Sequence, residues 1–165
     1  MLDEGRRVLT ETSGISGGFI DMGYIFTLGS HFIPNLIKSY LEEKGENHIR
    51  FSFGQGTTKK IVEELKDGKY DLAFSSYVEG EDELEFIPVG QEELVLITPK
   101  GHPLAEKEEI DLIDTVEYDY VYFTRNSGLR PVIDSYFSKI KRQPAIAYEG
   151  EEDSSVAGLV AAGFG

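Results

Sequence analysis

Three segments of the sequence combine hydroxyl or amide side chains with glycine at points where a helix is expected to begin. They are Thr27–Ser30, Gln55–Thr58 and Thr124–Gly128. Ser30 stands four residues before Pro34, and Ser127 stands four residues before Pro131. If each serine caps its helix, the proline lies in the first turn, where its missing N–H costs little. The N–H groups that precede the proline then remain free to bind a ligand.

Helix starts of this kind are candidate anion sites, because free N–H groups and the helix dipole both favour negative charge. Thr57 and Thr58 open a further helix with a similar hydroxyl cap but without a proline. In open α/β sheets such helix starts gather at the carboxyl ends of the strands. We therefore predict that the three segments meet at one cleft and bind a small carboxylate-like ligand, with Arg125 as the counter-charge. Ordinary helix capping is the alternative for each segment taken alone.

Residues typical of catalytic or metal centres are sparse. The three histidines, His31, His48 and His102, lack the spacing of metal ligands. The chain has no cysteine and no G-x-S-x-G motif, so it offers no evident nucleophile. The segment FGQGTTKK (Phe53–Lys60) matches neither common phosphate-loop pattern, and the acidic run Glu149–Asp153 is typical of a solvated loop. These observations predict no metal, no cofactor and no enzymatic activity.

The composition is that of an acidic globular domain. Among 165 residues, 40% are hydrophobic and 12% are aromatic, and the net charge is −14. A field of this sign repels nucleic-acid phosphates, so the chain itself is not expected to bind DNA over a broad surface. No apolar run reaches the roughly 20 residues that cross a bilayer, and MLDEGRRVLTETSG lacks the apolar core of a signal peptide. We therefore predict a cytoplasmic protein without a membrane partner.

Apolar periodicity predicts strands and helices in alternation. Strands are predicted at Phe19–Tyr24, Ile49–Phe53, Tyr70–Ser75, Leu94–Thr98, Val121–Phe123 and Ala145–Tyr148. Helices are predicted around Phe32–Leu41, Ile61–Leu65, Leu129–Ile140 and Val156–Val160, with an earlier helix ending within residues 1–14. The last helix is expected to be capped by Asp153 or Ser154 and to end at Gly163.

The alternation implies βαβ units and a largely parallel sheet, so the predicted fold class is α/β. Two β-α-β runs are separated around Gly90–Glu93, which indicates two Rossmann-like lobes with a ligand cleft between them. A βα unit normally needs a following strand, so the second lobe is expected to be incomplete at Gly165.

Five motifs occur in a fixed order along the chain. They are TLGSHFIPNLIKSYL (Thr27–Leu41), VEELKDGKYDLAFSS (Val62–Ser76), ELVLITPKGHPLA (Glu93–Ala105), FTRNSGLRPVIDSYF (Phe123–Phe137) and SVAGLVAAGFG (Ser155–Gly165). In this order they resemble the effector-binding, or substrate-binding, domain of LysR-type transcriptional regulators, and HPLA and LVAAGFG are the most distinctive. The resemblance covers nearly all of residues 17–165.

The resemblance implies the fold of type 2 periplasmic binding proteins, with a small, anionic metabolite held between the lobes. The effector-binding residues carried over by position are Thr27, Ser30, Gln55, Gly56, Thr57, Thr124, Arg125 and Ser127. It also implies the domain limits: residues 1–16 as the end of a linker helix and a linker, 17–90 as lobe I, and 91–165 as an incomplete lobe II. Regulators of this family self-associate as dimers or tetramers, and they bind DNA through an N-terminal helix-turn-helix domain that is absent from this sequence.

Two other functions share the scaffold. A solute-binding protein of a transporter has the same fold, although the charged segment MLDEGRRVL favours a regulator. An enzyme on this fold would require a nucleophile, a metal set or a cofactor loop, and the sequence offers none of the three.

Overall fold

The computed structural model describes residues 18–44 and 49–165. The helix end predicted within residues 1–14, the linker predicted at 1–16 and His48 lie outside these ranges. The chain divides into two compact units between Ser75 and Ser76, called unit 1 and unit 2 below. The lobe limits predicted at residues 90 and 91 stay a prediction.

Unit 1 is a parallel three-stranded sheet with two helices. Its elements are β1 (Phe19–Ile25), α1 (Phe32–Lys44), β2 (Arg50–Gly56), α2 (Thr58–Lys66) and β3 (Leu72–Phe74). The strand order is β2–β1–β3, and both pairings are parallel. All five elements were predicted from periodicity, but β3 is confined to the three residues that pair with β1 rather than extending over Tyr70–Ser75.

The central strand of unit 1 is covered on both faces. Successive side chains of a strand point to opposite faces, so Met22 and Tyr24 share one face, where they form a buried cluster with Ile33 of α1. Gly23 points to the other face, where its neighbour is the ring of Tyr70. Burial of both faces is what a strand in the middle of a parallel sheet requires.

The ring of Tyr70 lies in a slot made by two glycines. Gly23 of β1 and Gly54 of β2 are direct partners in the parallel register. A Cβ atom at Gly23 would lie 2.5 Å from Cδ2 of Tyr70, and a Cβ atom at Gly54 would collide with the Tyr70 hydroxyl. Tyr70 is only 8% exposed, and its hydroxyl donates to Glu64 of α2 at 2.5 Å. The ring therefore fixes α2 against both strands.

Unit 2 contains a two-stranded parallel sheet and two longer helices. Its elements are β4 (Asp119–Phe123), α3 (Leu129–Lys139), β5 (Ala145–Gly150) and α4 (Asp153–Ala161). The register is irregular between Tyr120 and Val121. Val121 packs with Val156 and Val160 of α4 in a buried cluster. The α/β class with parallel pairing is therefore as predicted in both units.

One predicted strand of unit 2 is wrong. Leu94–Thr98 is not a strand, and its four leading apolar side chains are 42–63% exposed. The sheet of unit 2 consists of β4 and β5, and among the described residues no strand pairs with Leu94–Thr98. A short apolar run shows that burial is favourable but does not supply the hydrogen-bonded neighbour that makes a strand.

The cap predicted for the last helix is also wrong. The N-cap position of α4 is Glu152, and no side chain caps the helix there. Asp153 is instead the first helical residue, where its negative charge interacts favourably with the helix dipole. The predicted end is confirmed, since Gly163 follows the helix with a φ of 85°, a backbone conformation that favours glycine.

We predict that Gly54→Ala lowers the free energy of unfolding by about 2–3 kcal/mol, because the added methyl group displaces the Tyr70 ring from its slot. Urea denaturation followed by circular dichroism measures the change. Gly90→Ala is the matched control, since a Cβ atom there has no neighbour within 4 Å. Equal stability of the two variants would contradict the proposed slot.

We further predict a pH-dependent loss of stability for Glu64→Gln. A hydrogen bond from Lys69 at 2.6 Å, followed by the bond from Tyr70, holds the pKa of Glu64 below its ordinary value of 4.5. A lowered folded-state pKa gives stability that is present above pH 4.5 and is lost as the pH falls through the folded pKa. The variant should lose about 1 kcal/mol at pH 7, and its difference from the wild type should shrink below about pH 4.

Chemical denaturation at a series of pH values tests this prediction. The control is Glu63→Gln, which alters an exposed neighbour on the same helix. A wild-type difference that stays constant from pH 7 to pH 3 would show that the carboxylate of Glu64 is not the stabilising group.

Candidate ligand-binding site

Five of the eight predicted site residues lie at one edge of the sheet in unit 1. β1 passes into a 3-10 turn at Phe26–Gly29, and β2 ends at Gly56. Ile25 and Gly56 are register partners, so the turn and the residue Thr57 follow paired positions. Thr27 and Ser30 are exposed at this edge. The parallel register thus brings the first two predicted segments together, as their sequence positions predicted.

Gln55 supports the turn from below. Its Nε2 atom donates to the hydroxyl of Tyr24, its register partner, at 3.0 Å. A Cβ atom at Gly29 would lie 2.7 Å from that same Nε2 atom. A side chain at position 29 would displace the end of the Gln55 side chain, so glycine leaves room for this hydrogen bond. Gln55 therefore contacts both Tyr24 and the turn, in addition to presenting a polar group at this edge.

Thr57 caps α2 as predicted. Its backbone is extended, with φ −72° and ψ 160°, and its Oγ1 atom accepts from the N–H of Lys60 at 3.5 Å. The first N–H groups of a helix have no partner within the helix, so they face the edge with partial positive charge. Helix α2 has no acidic residue in its first turn to offset that charge.

Ser30 does not cap α1, contrary to the prediction. It follows the 3-10 turn with a helical backbone, at φ −81° and ψ −32°. The carbonyl of His31 accepts the N–H of Asn35 at 3.1 Å, so the helix is entered one residue later than predicted. The reason is that the 3-10 turn occupies the residues directly after β1. Pro34 nevertheless lies in the first turn of α1, where its ring is tolerated.

The other three predicted residues lie in one tight turn after β4 in unit 2. The N–H of Thr124 donates to the carbonyl of Gly150 at 3.0 Å, which extends the β4–β5 pairing. The carbonyl of Thr124 accepts the N–H of Ser127 at 3.1 Å. The Ser127 hydroxyl accepts the N–H of Leu129 at 3.2 Å, whereas the N-cap position itself is Gly128. Ser127 therefore lies one residue before the N-cap, and the helix begins one residue later than predicted.

Thr124 and Arg125 have polar groups left over for a ligand. The Oγ1 atom of Thr124 is buried, and it has no hydrogen-bond partner among the described residues. A buried hydroxyl without a partner is costly and calls for an explanation. Arg125 is exposed. Within residues 18–44 and 49–165, no salt bridge involves its guanidinium.

The most connected cation of unit 2, Arg130, was missed by the sequence analysis. Its Nη1 atom donates to the carbonyl of Phe123 at 2.9 Å and to Glu149 at 2.6 Å, while Nε donates to Asp134 at 3.1 Å. Its guanidinium lies 4.7 Å from the ring centre of Tyr122. Burial alone would lower the pKa of Arg130, but the hydrogen bonds that it donates to Glu149 and Asp134 outweigh this effect and raise its pKa. The available signal was the helical i, i+4 spacing of Arg130 and Asp134.

Tyr122 completes this cluster. Its hydroxyl donates to Oδ1 of Asp134 at 3.0 Å. Burial, with a smaller effect of the hydrogen bond to Asp134, raises the pKa of Tyr122 far above its ordinary value. The phenol therefore stays protonated and acts as a donor at physiological pH. It contributes to the structure around the turn and is not an acid or base.

Unit 2 also contains an open cavity of about 540 Å³. Its walls include the segment Leu94–Thr98, β4 and α3, and mainly aliphatic and aromatic side chains line it. None of the predicted site residues belongs to this lining. This mainly apolar lining would replace little of the hydration that a charged metabolite loses on entry. The turn after β4 is thus the better candidate site in this unit.

The described residues hold no group of three or more potential ligands placed to bind a metal ion. Across residues 18–44 and 49–165, no helix combines the length and apolar character needed to span a bilayer. The edge of unit 1 offers hydroxyl and amide groups beside the start of α2. The turn after β4 in unit 2 offers a hydroxyl, a guanidinium and the start of α3. Each set suits reversible binding of a small anion.

The chain belongs to the family of LysR substrate-binding domains, whose family model matches residues 16–165. Its α/β fold is that of LysR effector-binding domains, which is of the type 2 periplasmic-binding-protein kind, as predicted. The family and the relatives below are transcriptional regulators and not enzymes, so the prediction of a non-enzymatic domain is confirmed.

Three relatives make the similarity specific. The chain is 33% identical over 162 residues to the uncharacterized HTH-type transcriptional regulator YybE of Bacillus subtilis, covering 98% of the chain and 55% of YybE. It is 26% identical over 165 residues to the transcriptional dual regulator GltC of the same species, covering 99% of the chain and 54% of GltC. The chain therefore spans about half the length of the curated relatives it matches.

Among solved structures, the chain is similar to the effector-binding domain of QuiR in complex with shikimate. The two share 46% sequence identity and superpose with a TM-score of 0.88, over 91% of this chain and 72% of the QuiR chain.

We predict that Thr124→Val leaves the ligand-free protein at least as stable as the wild type, because it removes a buried hydroxyl that has no partner. Thr115→Val is the matched control with the opposite sign. Thr115 is 2% exposed, donates to the carbonyl of Leu112 and accepts from the hydroxyl of Tyr120. Its substitution should cost about 1–3 kcal/mol. Thermal denaturation measures both, and a similar loss in the two variants would show that Thr124 is hydrogen-bonded.

Proposed function

We propose that this chain senses a small hydroxylated carboxylic acid of the shikimate class and passes the signal to a helix-turn-helix domain of the full-length regulator. The observation that carries the proposal is the turn after β4, where the buried, unpartnered hydroxyl of Thr124 and the exposed side chain of Arg125 belong to consecutive residues. The 46% identity to the shikimate-binding domain of QuiR supports the choice of ligand class.

The two polar groups of this turn suit two different parts of such a ligand. Arg125 offers the planar pair of donors that matches a carboxylate. Thr124 offers a hydroxyl that both donates and accepts, which matches a ligand hydroxyl. The net charge of −14 makes an unpaired cation the natural point of attraction for an anion.

The edge loop of unit 1 is a second candidate anion site, considered by itself. Thr27 and Ser30 are exposed beside the start of α2, whose free N–H groups favour a negative or hydroxylated ligand. Regulation requires that the effector bind one conformation of the protein more tightly than another.

The remaining properties of the full-length protein follow from the same proposal. It works in the cytoplasm, self-associates as a dimer or tetramer and reaches DNA only through its helix-turn-helix domain. The HTH-type designation of the relative YybE supports the DNA-binding role, and the acidic charge of this chain argues against direct DNA contacts by the sensing domain itself.

Isothermal titration of the purified protein with shikimate tests this function. We expect binding to shikimate, much weaker binding to its methyl ester, which lacks the charge, and much weaker binding to benzoate, which lacks the hydroxyl groups. At a ligand concentration 100 times the Kd, the free energy of unfolding should rise by about 2.7 kcal/mol. Absence of binding to shikimate and to other hydroxylated carboxylates would overturn the proposal.

Variants assign the two loops. Arg125→Gln should weaken shikimate binding about ten-fold, equivalent to about 1.4 kcal/mol, without changing stability or the weak binding of the methyl ester. Arg142→Gln is the matched control, because Arg142 is also an exposed cation of unit 2. Thr27→Val tests the edge loop of unit 1 separately, and an unchanged Kd for this variant would show that this loop does not bind the ligand.

A further inference from the structure

Arg130 connects the turn after β4 to two other elements. It reaches back from the first turn of α3 to the carbonyl of Phe123, the last residue of β4, and across to Glu149 of β5. Asp134, one turn further along α3, holds the other side of the guanidinium. The side chain of Arg130 is 13% exposed, whereas its partners Asp134 and Glu149 are 48% and 44% exposed.

These bonds fix the peptide group that leads into Thr124, at both its carbonyl and its N–H. The carbonyl of Phe123 belongs to the peptide bond that leads into Thr124, and it is held by Arg130 at 2.9 Å. The N–H of that same peptide donates to Gly150, the residue after Glu149, at 3.0 Å. Arg130 thus binds the carbonyl of this peptide directly. It also binds Glu149, the neighbour of Gly150, and Gly150 accepts the N–H of the same peptide.

Arg130 is not available as a counter-charge for a ligand. Asp134 and Glu149 already neutralise its charge at hydrogen-bond distance, and the ring of Tyr122 covers one face of its guanidinium. The free cation of the turn is Arg125. The two arginines are therefore suited to different tasks, one to attraction and the other to geometry.

We propose that Arg130 is the positioning residue of the site: it orients the Thr124 hydroxyl toward a hydroxyl group of the ligand. This inference rests on the proposed function, because it gives Thr124 a ligand to recognise. It also gives the unpartnered buried hydroxyl of Thr124 a role: the peptide that leads into Thr124 is held at its carbonyl and its N–H, which fixes the backbone from which the side chain extends.

Lysine cannot replace Arg130 in this role. An ammonium group is a single point charge, whereas the guanidinium is a planar fork that binds Phe123, Glu149 and Asp134 at once. Arg130→Lys therefore keeps the charge and loses the geometry. Glu149→Gln is a milder variant that weakens one anchor of Arg130 and leaves its bond to Phe123 in place.

A double-mutant cycle on shikimate affinity tests the inference. Arg130→Lys and Thr124→Val should each weaken binding about ten-fold, and the double variant should bind within about two-fold of the weaker single variant. The reason is that Arg130 acts through the Thr124 hydroxyl, so it has nothing left to position once that hydroxyl is gone. Multiplication of the two losses, to about 100-fold, would overturn the proposal. Arg142→Lys is the matched control and should leave the Kd unchanged.

A ligand-free measurement separates this inference from the proposed function. Hydrogen exchange of the Thr124 amide should become about ten-fold faster in Arg130→Lys and measurably faster in Glu149→Gln, with Arg142→Lys as the control. If the wild type binds neither shikimate nor other hydroxylated carboxylates, the proposed function fails while this measurement still judges the positioning role. If the wild type binds and the Thr124 amide exchanges equally in all variants, the positioning role fails. Glu149→Gln serves as the test variant should Arg130→Lys fail to fold.

Discussion

Parallel pairing of strands forces the chain to return through a helix before the next strand can begin. Every strand in a unit therefore ends at the same edge, and every helix that follows a strand starts there. In unit 1 this constraint places the turn after β1 beside the cap of α2, because Ile25 and Gly56 are register partners. In unit 2 it places the end of β4 beside Gly150. The placement of the candidate site residues at these edges follows from that constraint and not from any one motif.

The elements that periodicity detects well are those whose apolar spacing is long and regular. Helices α1 and α3 and strands β1 and β2 were predicted because their core positions repeat along the sequence. Leu94–Thr98 was wrongly predicted as a strand, because an apolar run carries no information about whether a second strand lies beside it. The glycine slot for Tyr70 was also beyond sequence reasoning, since it depends on the register between two strands that are distant in the sequence.

The same difference separates the predicted site residues. Thr57 caps α2 as predicted, since a threonine before a helical run is a local signal. Ser30 was misassigned because a 3-10 turn, which has no distinctive sequence pattern here, displaces the start of α1. Arg130 was overlooked in favour of Arg125, since only the fold shows which arginine has acidic neighbours on adjacent elements. Local chemistry is readable from the sequence, whereas partnership across elements is not.

The slot for Tyr70 has a mechanical consequence for unit 1. One aromatic ring touches two strands and, through its hydroxyl, the helix that begins at Thr57. A displacement of that helix is therefore expected to reach both strands. A ligand that binds at the edge of unit 1 would then shift α2, β1 and β2 together and not only the residues that it contacts.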